Sequence, residues 1–244
     1  MPHPQLDVRA LRLARVHRAS GDDARDPLAR ERSLASDLLN VAWAHGAHRV
    51  AGYHYRHDDR DVPAASTATT GLRWTRGAPQ GGGLAWTIEA ARQRDHADNP
   101  LAFSHGYRLL EPEWKHGQTT LRVGFERLGG DGRHALQAPL GTLHAFNGWA
   151  DRFLVTPADG LEDRYLAANG RFTPAALSRP LAWTVAWHDF RAERGGARYG
   201  RELDASLGIA LHPRLDLLAK LADYRADGFS RDTRKLWLQL EWKP

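Results

Sequence analysis

The sequence predicts an all-β protein: an antiparallel, up-and-down transmembrane β-barrel of about twelve strands. Three observations predict this fold. Apolar and polar residues alternate through many short segments, long and short connections alternate along the chain, and no part of the 244 residues shows a convincing helical period. A period of two indicates a strand, because successive side chains point to opposite faces. The segments are close to the roughly 9–11 residues with which a tilted strand crosses a bilayer.

The last predicted strand shows the alternation most clearly. One set of its positions is apolar without exception: Leu236, Leu238, Leu240 and Trp242. The positions between them are polar, with Trp237 as the one exception. Lipid outside a barrel explains the apolar set, and a water-filled interior explains the polar set. Several tryptophans near strand ends suit an interfacial aromatic girdle: Trp43, Trp74, Trp187 and Trp242.

The predicted connections fall into two classes that alternate. The long class comprises 18–33, 57–65, 95–102, 128–160, 191–201 and 225–231. The short class comprises 45–47, 77–82, 115–117, 173–180 and 212–214. In a meander, alternate connections lie at opposite ends of the strands. This pattern predicts short periplasmic turns and long extracellular loops, as in outer-membrane barrels, and a Greek-key sandwich has no reason to produce it.

Composition excludes several classes of protein. The chain has no cysteine, so disulfides, thiolate metal sites and cysteine nucleophiles are excluded. The net charge of +5 and the pI of 9.8 favour anionic partners without choosing among them. The sequence contains no run of 18 apolar residues, so it predicts no transmembrane helix. The first thirty residues lack the apolar core of a secretory signal.

The sequence predicts neither an enzyme nor a cofactor or metal site. It contains no nucleophile elbow, P-loop or zincin motif. The tightest histidine pairs have a three-residue spacing that puts the two rings on opposite faces of a strand: His45/His48 and His54/His57. Two pairs of carboxylates are expected at a solvated surface or in contact with cations: Asp58/Asp59 and Glu162/Asp163. Nucleic acid is not expected as a partner, because tryptophans and arginines fall on opposite faces.

One stretch carries a specific family resemblance. Residues 138–170, APLGTLHAFNGWADRFLVTPADGLEDRYLAANG, resemble a segment of the alginate-export family of bacterial outer-membrane porins, with its core at 146–151. Weaker matches cover most of the rest of the chain: 15–23, 66–77, 98–103, 186–204 and 217–243. Because family members are longer, the resemblance implies that residues 1–244, predicted as one barrel domain with a truncated start, correspond to the C-terminal portion of a larger barrel.

The resemblance implies a location and a set of partners. The location is the outer membrane of a Gram-negative bacterium, and the activity is passive export or diffusion of an anionic, alginate-like polysaccharide or of small organic solutes. Outer-membrane lipid and the barrel assembly machinery are the other partners implied. Two alternatives stay open: a truncated barrel fragment that does not conduct, and an outer-membrane enzyme that acts on acidic sugars.

Five charged residues on the predicted polar faces are candidates for the pore lining: Arg73, Arg122, Glu126, Lys220 and Lys235. The cations among them would offer positive charge to uronate carboxylates, and arginine suits a carboxylate because it bonds both oxygens. The alternative is that these charges only solvate the interior and pair with three glutamates: Glu89, Glu126 and Glu241.

The loop 128–160 is too long for a simple connection, and long loops in compact proteins are commonly functional. We expect it to fold inward and narrow the pore, with four polar residues at the constriction: His144, Asn147, Asp151 and Arg152. Three aromatic residues are expected to anchor the loop on the barrel wall: Phe146, Trp149 and Phe153.

Overall fold

The computed structural model describes residues 5–18, 21–141, 146–177 and 179–243. In these ranges the chain forms one twelve-stranded antiparallel sheet in which every strand lies beside its neighbours in sequence, from β1 to β12. The all-β, up-and-down prediction and its strand number are therefore confirmed.

The first six strands are β1 (Gln5–His17), β2 (Glu31–His45), β3 (His48–His57), β4 (Thr67–Arg76), β5 (Gly82–Asp95) and β6 (Ser104–His116). The last six are β7 (Thr119–Leu128), β8 (Leu161–Phe172), β9 (Leu181–Arg191), β10 (Arg198–His212), β11 (Leu215–Ala226) and β12 (Thr233–Trp242). Helical structure in the described ranges is limited to α1 (Pro27–Arg30), which the Asp26 side chain caps, and one 3₁₀ turn (Pro63–Ala65). Neither helix is long and apolar enough to cross a membrane.

The observed connections follow the predicted order within a few residues. Loop 129–160 joins β7 to β8, and the tight turn 213–214 joins β10 to β11. Strict alternation fails at one place, because the connection 173–180 is longer than the connection 192–197 that follows it. Several strands also begin earlier than the apolar alternation does, as β2 shows by starting at Glu31. Charged residues continue the hydrogen-bonded ladder beyond the apolar segment, and hydrophobicity alone cannot detect that continuation.

By internal contacts the chain divides into two compact units. Unit 1 comprises Met1–Arg76 and Ile88–Arg108, and unit 2 comprises Gly77–Thr87 and Leu109–Pro244. Unit 2 contains β7 to β12, and adjacent strands pair along most of their length. It also contains the long loop 129–160, and it therefore holds most of the candidate site.

The two faces of the unit 2 sheet differ in chemistry, as the alternation predicts. On the apolar face, Leu236 and Leu238 of β12 are 77% and 76% exposed. On the polar face, Glu202 and Asp204 of β10 are 1% and 0% exposed. A water-soluble domain has the reverse arrangement, with leucines buried and carboxylates exposed. Exposed leucine beside buried carboxylate is what a strand between lipid and a polar interior requires.

Candidate functional site

Loop 129–160 lies against the polar face of unit 2. The Nδ2 of Asn147 donates a hydrogen bond of 2.7 Å to Oε2 of Glu126 on β7. Further along, the backbone N–H of Trp149 donates to Oδ2 of Asp204 over 3.1 Å. Both acceptors are carboxylates of the polar face. The loop therefore folds over that face, as the sequence analysis expects.

The Asn-Gly-Trp-Ala-Asp core of the loop has a backbone that few other sequences adopt. Asn147, Gly148 and Asp151 all have positive φ, at 53°, 84° and 60°. Asn and Asp enter this left-handed region more readily than other side-chain-bearing residues. A Cβ at position 148 would lie 2.5 Å from Oε2 of Glu202, so only glycine lets the backbone approach the wall this closely. This geometry explains why asparagine, glycine and aspartate occupy these positions in the core of the loop.

Aromatic packing fixes the next part of the loop. Phe153 is 3% exposed, and its ring centroid lies 4.4 Å from that of Phe190 and 5.4 Å from that of Phe229. Trp149 packs on the edge of the same cluster. Phe146 is 61% exposed, so its predicted role as an anchor is wrong. The loop bonds to the polar face only from Asn147 onward, and Phe146 lies just before that point.

The charged residues predicted at the constriction mainly fasten the loop. Asp151 accepts a bond of 2.5 Å from Nζ of Lys235 on β12. Arg152 donates from Nε to the carbonyl of Ala150 over 3.2 Å, within its own loop. Of the four predicted constriction residues, Asn147 and Asp151 contact strand residues and Arg152 contacts its own loop. His144 lies outside the described residues.

Lys220 explains the one exception in the alternation of the last strand. Its Nζ lies 4.2 Å from the ring centroid of Trp149 in the loop and 5.2 Å from that of Trp237. An ammonium group over an aromatic face is attracted by the partial negative charge that the ring quadrupole places on that face. Trp237 therefore belongs on the polar face, where with Trp149 it holds the Lys220 cation.

Arg73 lies on the polar face of unit 1, where it contacts a glutamate that also binds a tyrosine hydroxyl. Its Nη1 is 2.9 Å from Oε2 of Glu89, and Oε1 of the same carboxylate accepts a bond of 2.6 Å from the hydroxyl of Tyr53. The pairing with Glu89 agrees with the alternative in which lining charges neutralise one another.

Arg122 lies in a similar set in unit 2. Its guanidinium contacts Glu113 at 3.0 Å and Glu111 at 3.6 Å, and the hydroxyl of Tyr165 donates to Glu111. The ring of Tyr165 crosses Gly124, where a Cβ would clash with it. Glu126, one of the three glutamates expected to pair with the lining charges, accepts a hydrogen bond from Asn147 of the loop. Lys235 pairs with Asp151 of the loop, a carboxylate outside that set of three glutamates.

Sequence reasoning named Asp163 only as one of a pair of carboxylates, and it missed that Asp163, Glu202 and Asp204 lie beneath the loop. Asp163 accepts a bond of 2.9 Å from Nδ1 of His188, and both side chains are buried on the polar face. Glu202 and Asp204 receive the backbone N–H groups of the loop. Each of these side chains lies at a polar position of its strand, so the alternation alone assigns it to the polar face. Only the register of β8, β9 and β10 shows that the groups meet.

The histidine pairs and paired carboxylates have structural partners. His57 lies 3.1 Å from the hydroxyl of Ser36, and His54 lies 2.7 Å from that of Thr70. Asp59 is buried and pairs with Arg32 at 2.8 Å, so cation contact is the correct interpretation there and a solvated surface is not. Within the described ranges, no group of three or more ligating side chains is placed to hold a metal ion.

The carboxylate pair of β8 is divided between the two faces. Asp163 lies buried under the loop beside His188, whereas Glu162 pairs with Arg127 and Arg164. Cation contact is again the observed role for Glu162.

Comparisons with known proteins bear on the fold. No protein-family model and no curated protein matches the chain. Solved structures do match: OccK3 (OpdO) of Pseudomonas aeruginosa has a TM-score of 0.70 at 17% identity over 97% of this chain. OccAB2 of Acinetobacter baumannii has a TM-score of 0.70 at 14% identity over 97%. OccK11 (OpdR) of Pseudomonas aeruginosa has a TM-score of 0.64 at 16% identity over 98%.

These neighbours are outer-membrane porins of the Occ/OprD group and are channels, not enzymes. At these identities the likeness extends to the fold alone, and it does not support the alginate-export family in particular. The chain spans 65% of the length of OccK3 and 64% of that of OccAB2. Its described strands thus have the fold of the β-barrel porins.

Proposed function

We propose that this chain forms wall strands of a passive channel in the bacterial outer membrane. Its polar face lines a water-filled pore, and its apolar face contacts lipid. One observation carries the proposal: Leu236 and Leu238 of β12 are 77% and 76% exposed, while two carboxylates of β10 on the opposite face are buried. The porin fold of the structural neighbours supports the same orientation and the same membrane.

The solutes proposed are small, water-soluble organic molecules. A permeant needs weak contacts at several places, so that it can leave each of them. Arg73 and Arg122 already pair with glutamates, Lys235 pairs with Asp151, and Lys220 lies between two tryptophan rings. Such a lining attracts a small solute weakly. An alginate-like polyuronate is the second candidate, favoured by the resemblance of residues 138–170.

The loop 129–160 is proposed to narrow the pore. It carries Asn147, Trp149 and Asp151 onto the polar face, which is the face assigned to the pore. Its fastening to β7, β10 and β12 argues for a fixed constriction, since three separate strands would have to release it together.

Cysteine labelling tests which face meets water. The chain has no cysteine, so single-cysteine variants carry no background. Ser206 and Leu207 are adjacent on β10, and they point to opposite faces. In liposomes, a membrane-impermeant maleimide should label Ser206→Cys readily and Leu207→Cys slowly. Faster labelling of Leu207→Cys would refute the proposed orientation.

Planar-bilayer conductance then separates the two solute classes. Small organic anions and a uronate oligomer are added in turn to inserted protein, and block of the current is recorded. Short, weak block by small solutes and no stronger block by longer oligomers is the expected result. Block that strengthens steadily with oligomer length would favour the polyuronate.

A further inference from the structure

The apolar face of unit 2 ends in charged residues on the side of the long loops. Six arginines, here called the arginine row, lie there: Arg127, Arg164, Arg191, Arg201, Arg225 and Arg234. Arg164 is two residues before Leu166, and Arg234 is two residues before Leu236, so each shares a face with an exposed leucine. The row therefore borders the surface that the proposed function assigns to lipid.

Three strand carboxylates are each shared by two members of the row. Glu162 contacts Arg164 at 2.5 Å and Arg127 at 3.3 Å. Asp189 and Asp223 are shared in the same way, at distances between 2.8 and 3.4 Å. Two loop carboxylates, Glu193 and Asp232, add one contact each to Arg127 and Arg225. Six guanidiniums thus meet five carboxylates, and the row keeps an excess of positive charge.

Two arginines of the row face each other directly. Arg201 of β10 is the register partner of Arg225 of β11, and their side chains are 52% and 59% exposed. Like charges directly opposite each other on neighbouring strands are destabilising. Asp189 and Asp223 offset part of that repulsion, and an anion between the two guanidiniums would reduce it further. Phosphate suits the guanidinium fork because it accepts bonds in pairs.

We propose that the arginine row binds the phosphate headgroup of an acyl lipid. Leu203 lies two residues beyond Arg201, and Leu221 lies two residues before Asp223, so apolar surface continues directly below the guanidiniums. A molecule with a phosphate at the arginine row and acyl chains along these leucines contacts both the charged and the apolar surface. Free phosphate would contact only the arginine row. Basic residues at a membrane surface attract anionic lipid in the same way.

Unit 1 contains the same arrangement, which supports the inference independently. Asp37 on β2 contacts Arg12 of β1 at 3.2 Å and Arg56 of β3 at 2.9 Å. Leu39, two residues beyond Asp37, is exposed on the same face. A carboxylate shared by two arginines thus borders exposed leucine in both units.

Native mass spectrometry of the full chain in neutral detergent tests the proposal. Phosphatidic acid, diacylglycerol with the same chains, and inorganic phosphate are the three probes. Phosphatidic acid should bind clearly tighter than the other two, and Arg201→Gln/Arg225→Gln should weaken it roughly thirtyfold, since two surface cations are lost. Arg201→Lys/Arg225→Lys should keep most of the affinity. Arg171→Gln/Arg214→Gln, which removes equal charge near the short turns, should not change it.

Two outcomes overturn the lipid site. One is equal affinity for phosphatidic acid and diacylglycerol, and the other is inorganic phosphate binding as tightly as phosphatidic acid. The proposal rests on the proposed membrane location, which liposome flotation checks separately. A chain that does not float with liposomes overturns both proposals, whereas a chain that floats without preferring phosphatidic acid overturns only the lipid site.

Discussion

The backbone N–H of Ala150 donates a 2.6 Å hydrogen bond to Oε1 of Glu202, and both groups are buried. This bond joins the centre of the longest loop to the polar face of β10. It needs a close approach of the loop backbone to the Glu202 carboxylate, which Gly148 allows and which the Asn147 side chain reinforces through Glu126. The position of the loop, and with it the proposed width of the pore, depends on this contact.

Replacing Gly148 by alanine should release the loop. The new Cβ would meet the Glu202 carboxylate at 2.5 Å, and the alanine would also have to adopt the glycine's φ of 84°. Single-channel conductance should rise, and protease should cut the loop faster. Gly195→Ala is the matched control, because it has a φ of 77° but open space around it. It should cost about 1–3 kcal/mol of backbone strain without changing conductance. Equal conductance changes in both variants would contradict the close-approach argument.

Truncating Phe153 should destabilise the protein far more than truncating Phe146. Phe153 is buried among aromatic rings, and such Phe→Ala changes cost about 3–5 kcal/mol. Phe146 is exposed, so Phe146→Ala should stay within about 0.5 kcal/mol of the parent. The free energy of unfolding, measured by denaturant titration, checks both values. Similar losses for the two variants would mean that Phe153 does not anchor the loop.

Neutralising Arg122 should make the channel more selective for cations. Arg122→Gln leaves Glu111 and Glu113 without their shared guanidinium, so two carboxylates face the pore. Arg73→Gln leaves only Glu89 in that position and should give a smaller shift. The reversal potential under a salt gradient measures both, and high salt should reduce the difference through screening. A larger shift for Arg73→Gln would argue against the proposed lining.

Deleting residues 140–155 should increase conductance. The deletion removes Asn147, Trp149 and Asp151, and with them the contacts to Glu126, Asp204 and Lys235. Planar-bilayer recordings measure the change, with circular dichroism to check that β structure is retained. Unchanged conductance in a folded deletion variant would remove the constriction from the proposal.

The sequence predicted the strands well because each strand carries its own signal. Alternation in β12 depends only on which face of the strand each residue occupies, and neighbouring positions report it directly. Trp43 and Trp187, which were expected in an aromatic girdle, were assigned to the apolar face in the same way, and both are exposed there. Strand ends were less accurate, since β2 and β10 extend into charged residues that carry no alternation of hydrophobicity.

By itself, the sequence determined the all-β fold, the order of the strands and, within the alternating segments, the face of each side chain. Only the tertiary structure decided the partners: Arg122 with Glu113, Lys235 with Asp151, and Ala150 with Glu202. The physical reason is the distance along the chain over which each kind of information acts. Alternation acts between neighbouring residues, whereas a hydrogen bond between Ala150 and Glu202 depends on the register of separate strands and on the path of the loop between them.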